Sequence, residues 1–236
     1  MSADEIGEAS RARLIKALDY RFSDPALLLR ALTHRSYSHD NNERLEYLGD
    51  SLLNFAIAAE VYRLRPKAPE GDLSRLRASL VREETLAAAA RRLPLADAVR
   101  LGSGELKSGG FRRDSILADA LEAVVGAVFL DGGIEPARAL CLRLLAPELA
   151  ELPDAGSLKD PKTRLQEILQ ADARPLPEYT VLREEGPAHR RHFAVLCRLP
   201  DTGDSVEAEA HSRRIAEQQA ASAMLAAITS KVNKDA

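Results

Sequence analysis

The apolar residues of this 236-residue chain change their period once, between about residues 151 and 160. Before the change they recur at i, i+3 and i+4, the spacing of a helix with one buried face. After it, short runs alternate in the manner of half-buried strands. Such a chain has to build two cores, an all-helical one and a smaller one in which helices pack on a sheet. Helical segments are expected at about 9–18, 25–32, 42–64, 71–92, 114–131 and 135–149. The 42–64 segment ends before Pro66 and would be about 35 Å long at 1.5 Å per residue. Its Leu45, Leu48, Leu52, Leu53, Ala56 and Ile57 keep the spacing of a buried stripe. The glycines from Gly102 to Gly110 predict a loop, and Asp114 reads as the N-cap of the next helix.

The stretch Leu152-Pro153-Asp154-Ala155-Gly156-Ser157 has the composition of a linker. Beyond it, Asp160 reads as a cap and Pro161 as the first turn of a short helix reaching about Ala171. Strands are expected at Glu178–Glu185, Arg191–Leu199 and Ser205–His211, and a closing helix from Ser212 to about Thr229. The expected architecture is a mainly α bundle over 7–150, a linker over 151–159 and a small α-β-β-β-α module over 160–229.

Composition excludes several classes. The two cysteines, Cys141 and Cys197, lie far apart in apolar surroundings, so they read as buried thiols and not as a disulfide framework. No apolar run approaches the roughly 20 residues of a membrane span, and the first ten residues are too polar for a signal peptide. A cytoplasmic protein without a membrane partner is expected. Net charge is −3, and residues 159–236 carry twelve bases against twelve acids. Any nucleic-acid face must therefore come from local clusters such as Arg112-Arg113, Arg190-Arg191 and Arg213-Arg214.

The carboxylates are more pointed. Glu43, Glu46 and Asp50 lie at i, i+3 and i+7, on one face of the 42–64 helix. Like charges so stacked repel, and Arg44, the only base within that stretch, lies on another face. Asp119 and Glu122 form a second i, i+3 pair in almost wholly apolar surroundings, where an uncompensated carboxylate is costly. Ala118, Ala123 and Gly126 beside them would let another helix approach closely. Glu70 stands in a loop-like Pro69-Glu70-Gly71-Asp72. A set made only of carboxylates selects a hard cation, Mg2+ or Mn2+. Zn2+ would want His or Cys, and a di-iron bundle would want Glu-x-x-His pairs. Five or six acids exceed the need of one Mg2+, which points to two ions and phosphodiester cleavage.

These blocks resemble a known family. Asn42-Glu43-Arg44-Leu45-Glu46-Tyr47-Leu48-Gly49-Asp50 resembles the signature of bacterial ribonuclease III. Glu70-Gly71-Asp72-Leu73-Ser74-Arg75-Leu76-Arg77-Ala78 and Leu117-Ala118-Asp119-Ala120-Leu121-Glu122-Ala123-Val124-Val125-Gly126 are similar to its other blocks. The 160–228 module is similar to its double-stranded-RNA-binding domain. The resemblance implies a Mg2+-dependent endonuclease acting on double-stranded RNA as a homodimer and leaving 5′-phosphates and two-nucleotide 3′ overhangs. It implies that Glu46, Asp50, Asp119 and Glu122 are catalytic metal ligands, with Asp50 and Glu122 foremost. It also implies that Glu70 serves a second metal or water, that Glu43 is an accessory acid facing the RNA, and that Tyr47 packs into a partner subunit. Ribosomal and other structured RNA precursors are the implied substrates.

In the C-terminal module the resemblance assigns Thr163 and Gln166 to one minor groove and His189 to the next. Ser212-Arg213-Arg214-Ile215-Ala216-Glu217-Gln218 matches the phosphate-binding block, with Arg213, Arg214 and Gln218 as its contacts. Glu209-Ala210-His211 replaces the glycines usual before that block, and Glu217 occupies its third basic position. His34 lies in a family-like stretch and is expected to be structural. The alternative to the enzyme is a non-catalytic double-stranded-RNA-binding regulator. A di-iron oxidase lacks its Glu-x-x-His pairs.

Overall fold

The structure, a computed structural model, describes residues 3–187 and 190–232. Two compact units divide between Ala155 and Gly156. The described residues are mostly helical, with one three-stranded antiparallel sheet in the second unit. The expected fold class, a helical bundle followed by an α-β-β-β-α module, is what the chain adopts.

In the first unit the helices are α1 (Ala3–Leu18), α2 (Pro25–Ala31), α3 (Glu43–Leu64), α4 (Glu70–Val81), α5 (Glu83–Arg91), α6 (Ser103–Lys107), α7 (Asp114–Gly132), α8 (Ile134–Leu144) and α9 (Ala146–Ala150). The core is aliphatic. Leu53, Ile57 and Val61 of α3 and Leu121, Val124, Val125 and Val128 of α7 are buried, with Leu14, Leu32 and Leu140 beside them. α7 is the central helix, and α2, α3, α5 and α8 all pack on it. Its far end anchors the start of the unit. The Asp131 carboxylate accepts hydrogen bonds from the Tyr20 hydroxyl at 2.7 Å and from the Ser23 and Asp24 N–H groups at 2.9 and 2.8 Å.

Four details depart from the sequence-based expectations. The helix expected over 71–92 is broken at Arg82, whose backbone is extended at φ −70°, ψ 154°. The Thr85 hydroxyl donates to the Ser79 carbonyl at 2.9 Å across the break. Glu83 and Glu84 then open a new helix, where acids favour the N-terminus. The segment expected over 135–149 is likewise divided at Leu145, because Pro147 has no N–H for a continuous helix and sits in the first turn of α9. Within the expected glycine loop, the one-and-a-half-turn α6 and a 3-10 turn at Gly110–Arg112 form. Asp114 is not an N-cap. It is the first residue of α7, makes no cap bond and pairs instead with Arg91.

The second unit contains α10 (Pro161–Ala171), β1 (Glu178–Glu185), β2 (His192–Arg198), β3 (Ser205–Ala210) and α11 (Arg213–Val232). The strands run in the order β1-β2-β3, with Val181 opposite Val195 and Val195 opposite Ala208. The two helices pack on each other, and α11 lies on β2 and β3. Leu165, Leu169, Cys197, Leu199, Ala220 and Met224 form their core. The Asp160 carboxylate caps α10 by accepting from the N–H groups of Lys162 at 2.9 Å and Thr163 at 3.4 Å, with Pro161 in the first turn. Both cysteines are free and buried. Among the described residues no helix is long and apolar enough to cross a membrane.

Candidate active site

Two glycines decide where the acids meet. A Cβ on Gly49 of α3 would lie 1.8 Å from the Glu122 carbonyl oxygen, and one on Gly126 of α7 would lie 2.3 Å from the Leu45 carbonyl oxygen. The two backbones therefore touch, each glycine accommodating the other helix. Glu46 lies one turn before Gly49 and Asp50 directly follows it, while Glu122 lies one turn before Gly126. Backbone contact at this crossing brings the two acidic pairs to one place.

Glu46, Asp119 and Glu122 each offer a carboxylate oxygen within 4.8 Å of the others, and all three side chains are half-buried. Asp50, more exposed, stands beside them and accepts from the Asn54 side-chain amide at 2.8 Å. The crowding shows in the acidities. Burial, then the charges of Asp50, Asp119 and Glu46, push Glu122 up to about 8. Burial and the charges of Asp119, Glu43 and Asp50 raise Glu46, with Arg35 opposing. Burial and Glu83 raise Asp119, with His34 and Arg35 opposing. The group thus has more negative charge than its protein surroundings neutralise, and its donors are all oxygen. Both properties fit a divalent cation.

The remaining acids fall outside this group. Glu43 is exposed at the first turn of α3, and its carboxylate lies 3.5 Å from the Arg35 guanidinium. That contact corrects the expectation of a row without counter-charge: the cation comes from the loop after α2, not from α3. Glu70 begins α4 and accepts from the Ser74 hydroxyl at 2.6 Å, apart from the cluster. Tyr47 is 79% exposed in the single chain, outside the acidic cluster.

The sequence alone did not place the groups that shape the cleft. The loop carrying His34 and Arg35 is fastened to a distant segment. His34 N–H donates to the Arg100 carbonyl at 3.1 Å, and Gly102 N–H donates to the Ser36 hydroxyl at 3.0 Å. His34 Nδ1 accepts from the Ser36 N–H at 3.2 Å, so it has the expected structural role while also lining the cleft. The cleft, about 560 Å3, is closed on its far side by Glu105 and Arg113, which pair at 2.6 Å. No local signal marks Glu83 or Glu105, and Arg113 stood out only as half of a basic pair, because the bend at Arg82 and the folded 102–113 segment bring them there.

In the second unit Thr163 is exposed and Gln166 partly so, on α10. Arg213 and Arg214 are exposed at the start of α11, whereas Gln218 donates to the Asp160 carboxylate and ties the two helices together. His189 lies outside the described residues.

Comparison with known proteins places both units. A family model described as Ribonuclease-III-like matches residues 24–149, and the Double-stranded RNA binding motif matches residues 161–228. The chain is 58% identical over 214 residues to Ribonuclease 3 of Alkalilimnicola ehrlichii, covering 91% of this chain and 94% of that one. Identity to Ribonuclease 3 of Thiobacillus denitrificans is 57% over 210 residues, covering 89% and 93%. The nuclease domain of ribonuclease III from Campylobacter jejuni superposes with a TM-score of 0.56 at 43% identity, over 57% of this chain and 95% of that one. With a family model spanning more than half its length and relatives this similar, the chain belongs to the ribonuclease III family and is an endoribonuclease.

Proposed function

We propose that the chain hydrolyses phosphodiester bonds in double-stranded RNA with Mg2+ held at the α3–α7 crossing. The observation that carries this is the convergence of Glu46, Asp119 and Glu122 within 4.8 Å in a fold of this family. With no His or Cys in that group, the donors suit Mg2+, with Mn2+ able to replace it. Glu46, Asp50, Asp119 and Glu122 would hold the metal, Glu70 would serve a second ion or its water, and Glu43 would face the RNA. Bound there, Mg2+ supplies an acidified water as nucleophile and charge stabilisation for the leaving 3′-oxygen.

The chain's own residues supply the positioning. Glycine contact at the crossing fixes the separation of the acidic pairs, and Asn54 orients Asp50. Arg35 and Arg113 flank the acids and offset their repulsion of a phosphate backbone. Hydrolysis of this kind leaves a 5′-phosphate and a 3′-hydroxyl, with short 3′ overhangs when both strands are cut. Ribosomal RNA precursors and other structured RNAs, including messenger RNAs, are the proposed substrates.

Residues 7–150 act as the catalytic domain and 160–229 as the RNA-binding domain, joined by 151–159. In the latter, Thr163 and Gln166 reach a minor groove, Arg213 and Arg214 take phosphates, and His189 reads the next groove. Gln218 serves that surface through its hold on Asp160. The active form is a homodimer joined through Tyr47 and the other exposed aromatics of α3, Phe55 at 58% and Tyr62 at 71% exposure.

A long RNA duplex is expected to be cut to short duplexes with Mg2+ and to remain whole without it. Persistence of full-length duplex with Mg2+ would overturn the reading. Glu122→Gln keeps the side chain's shape and removes a charge from the group. It is expected to lower kcat by about a hundred- to a thousand-fold and to leave metal-free duplex binding unchanged; loss of binding would count against the assignment.

A further inference from the structure

Three charged side chains from two helices meet at the start of α11. One oxygen of the Glu217 carboxylate accepts from Lys162 Nζ at 2.6 Å, and the other accepts from Arg213 Nε at 2.8 Å. Glu217 is 13% exposed, whereas Lys162 is 30% and Arg213 is 64% exposed. The acid thus lies behind the two cations, which present their outer sides to solvent. Lys162 is further fixed over the Tyr179 ring, 4.4 Å from its centroid. Burial pushes the Glu217 pKa up, but the hydrogen bonds and charges of Lys162 and Arg213 more than offset it and hold it below the ordinary carboxylate value, so the group stays ionised at neutral pH.

A bridging anion with one oxygen on each cation is the contact that an RNA phosphate makes with such a pair. We infer that Glu217 is a resident stand-in for phosphate: it holds Lys162 and Arg213 in the free protein, competes with the RNA backbone for them and so limits how tightly the module grips a duplex. The inference rests on the reading that the start of α11 takes RNA phosphates. Its physical content is that a phosphate arriving at Arg213 meets a cation already half-neutralised. Fewer counterions are then released than the number of Lys and Arg residues implies. For an enzyme that must let go of cut duplex, a grip limited in this way favours turnover.

The test uses the full chain in EDTA and a duplex of about 20 base pairs, longer than the footprint of roughly 16 for such a domain. Glu217→Gln is expected to bind about three- to ten-fold more tightly at 0.1 M salt, with a salt slope steeper by about one. Equal or weaker binding by a variant that melts like the wild type overturns the inference. If the substitution lowers stability, the wild type decides. Its Glu217 carboxyl 13C resonance, assigned through the backbone, is expected to shift as saturating duplex takes its cations, and an unmoved resonance overturns the inference. The variant Arg213→Ala with Arg214→Ala separates the two readings. If it binds as the wild type does, the phosphate assignment itself fails. If it weakens binding while Glu217→Gln does not tighten it, only the role of Glu217 fails.

Discussion

Glu122 and Asp160 are both carboxylates on helix surfaces, and their surroundings push them in opposite directions. Glu122 is raised to about 8 by burial among Asp50, Asp119 and Glu46, whereas Asp160 is lowered. For Asp160, burial acts upward. Hydrogen bonds from Gln218, Thr163 and Lys162 and the charge of Arg214 more than offset it. A depressed carboxylate contributes stability above its ordinary value of 3.8, and that contribution is lost as pH falls through the folded value. Asp160→Ala is therefore expected to destabilise the second unit by about 1 kcal/mol at pH 7, and urea melts should show this difference vanish toward pH 2. A difference that persists in acid would mean the cap contributes through packing and not through charge. The rows Glu43, Glu46, Asp50 and Asp119, Glu122 were legible from spacing, whereas Glu70 stood out only through the family resemblance. That Asp50 leans on Asn54, that Glu43 meets Arg35 and that Glu83 acts on Asp119 was not, because the latter two partners come from other elements.

At the scale of elements, the α3–α7 crossing is the feature on which the site depends. Sequence showed small residues beside Asp119 and Glu122, which permits a close approach, but not which helix approaches or at which residue. The reciprocal contacts of Gly49 and Gly126 supply that register. Gly126→Ala would place a Cβ 2.3 Å from the Leu45 carbonyl, so the helices must separate. Overpacking of this kind costs about 1–3 kcal/mol, or roughly 2–4 °C in Tm per kcal/mol for a chain of this size. Cleavage is expected to fall far more than folding does at 20 °C, since a shift of about 1 Å at a catalytic group can cost a hundred-fold. Equal activity with a lowered Tm would show that the acids tolerate the displacement. The helix break at Arg82 was less legible, since the apolar period continues across it, whereas the break at Leu145 has a local cause in Pro147 that the period alone concealed.

For the whole molecule, exposed aromatics on a helix whose other face is buried call for a partner. Tyr47, Phe55 and Tyr62 lie on one side of α3, opposite the Leu53, Ile57 and Val61 core. Phe55→Asp, at a position 58% exposed in the single chain, is expected to leave the fold intact and shift sedimentation from dimer to monomer. Cleavage of both strands at one place would fall with it. An unchanged dimer would assign the stripe to something other than self-association.

What the amino-acid order determined by itself is whatever local chemistry can encode: the period change that separates a helical unit from an α+β one, the cap at Asp160 and Pro161, the carboxylate spacings along α3 and α7, and the family blocks they form. Those signals survive in a single sequence because helix and strand periods place a residue on a face without reference to the rest of the chain. What only the tertiary structure decided is which faces meet. Glu46, Asp119 and Glu122 are apart along the chain and come within 4.8 Å because two helix backbones touch. Lys162 and Arg213 share Glu217 because α10 and α11 close one core. Such distances depend on packing between elements, and a charge at one position says nothing of which distant cation or acid will stand beside it.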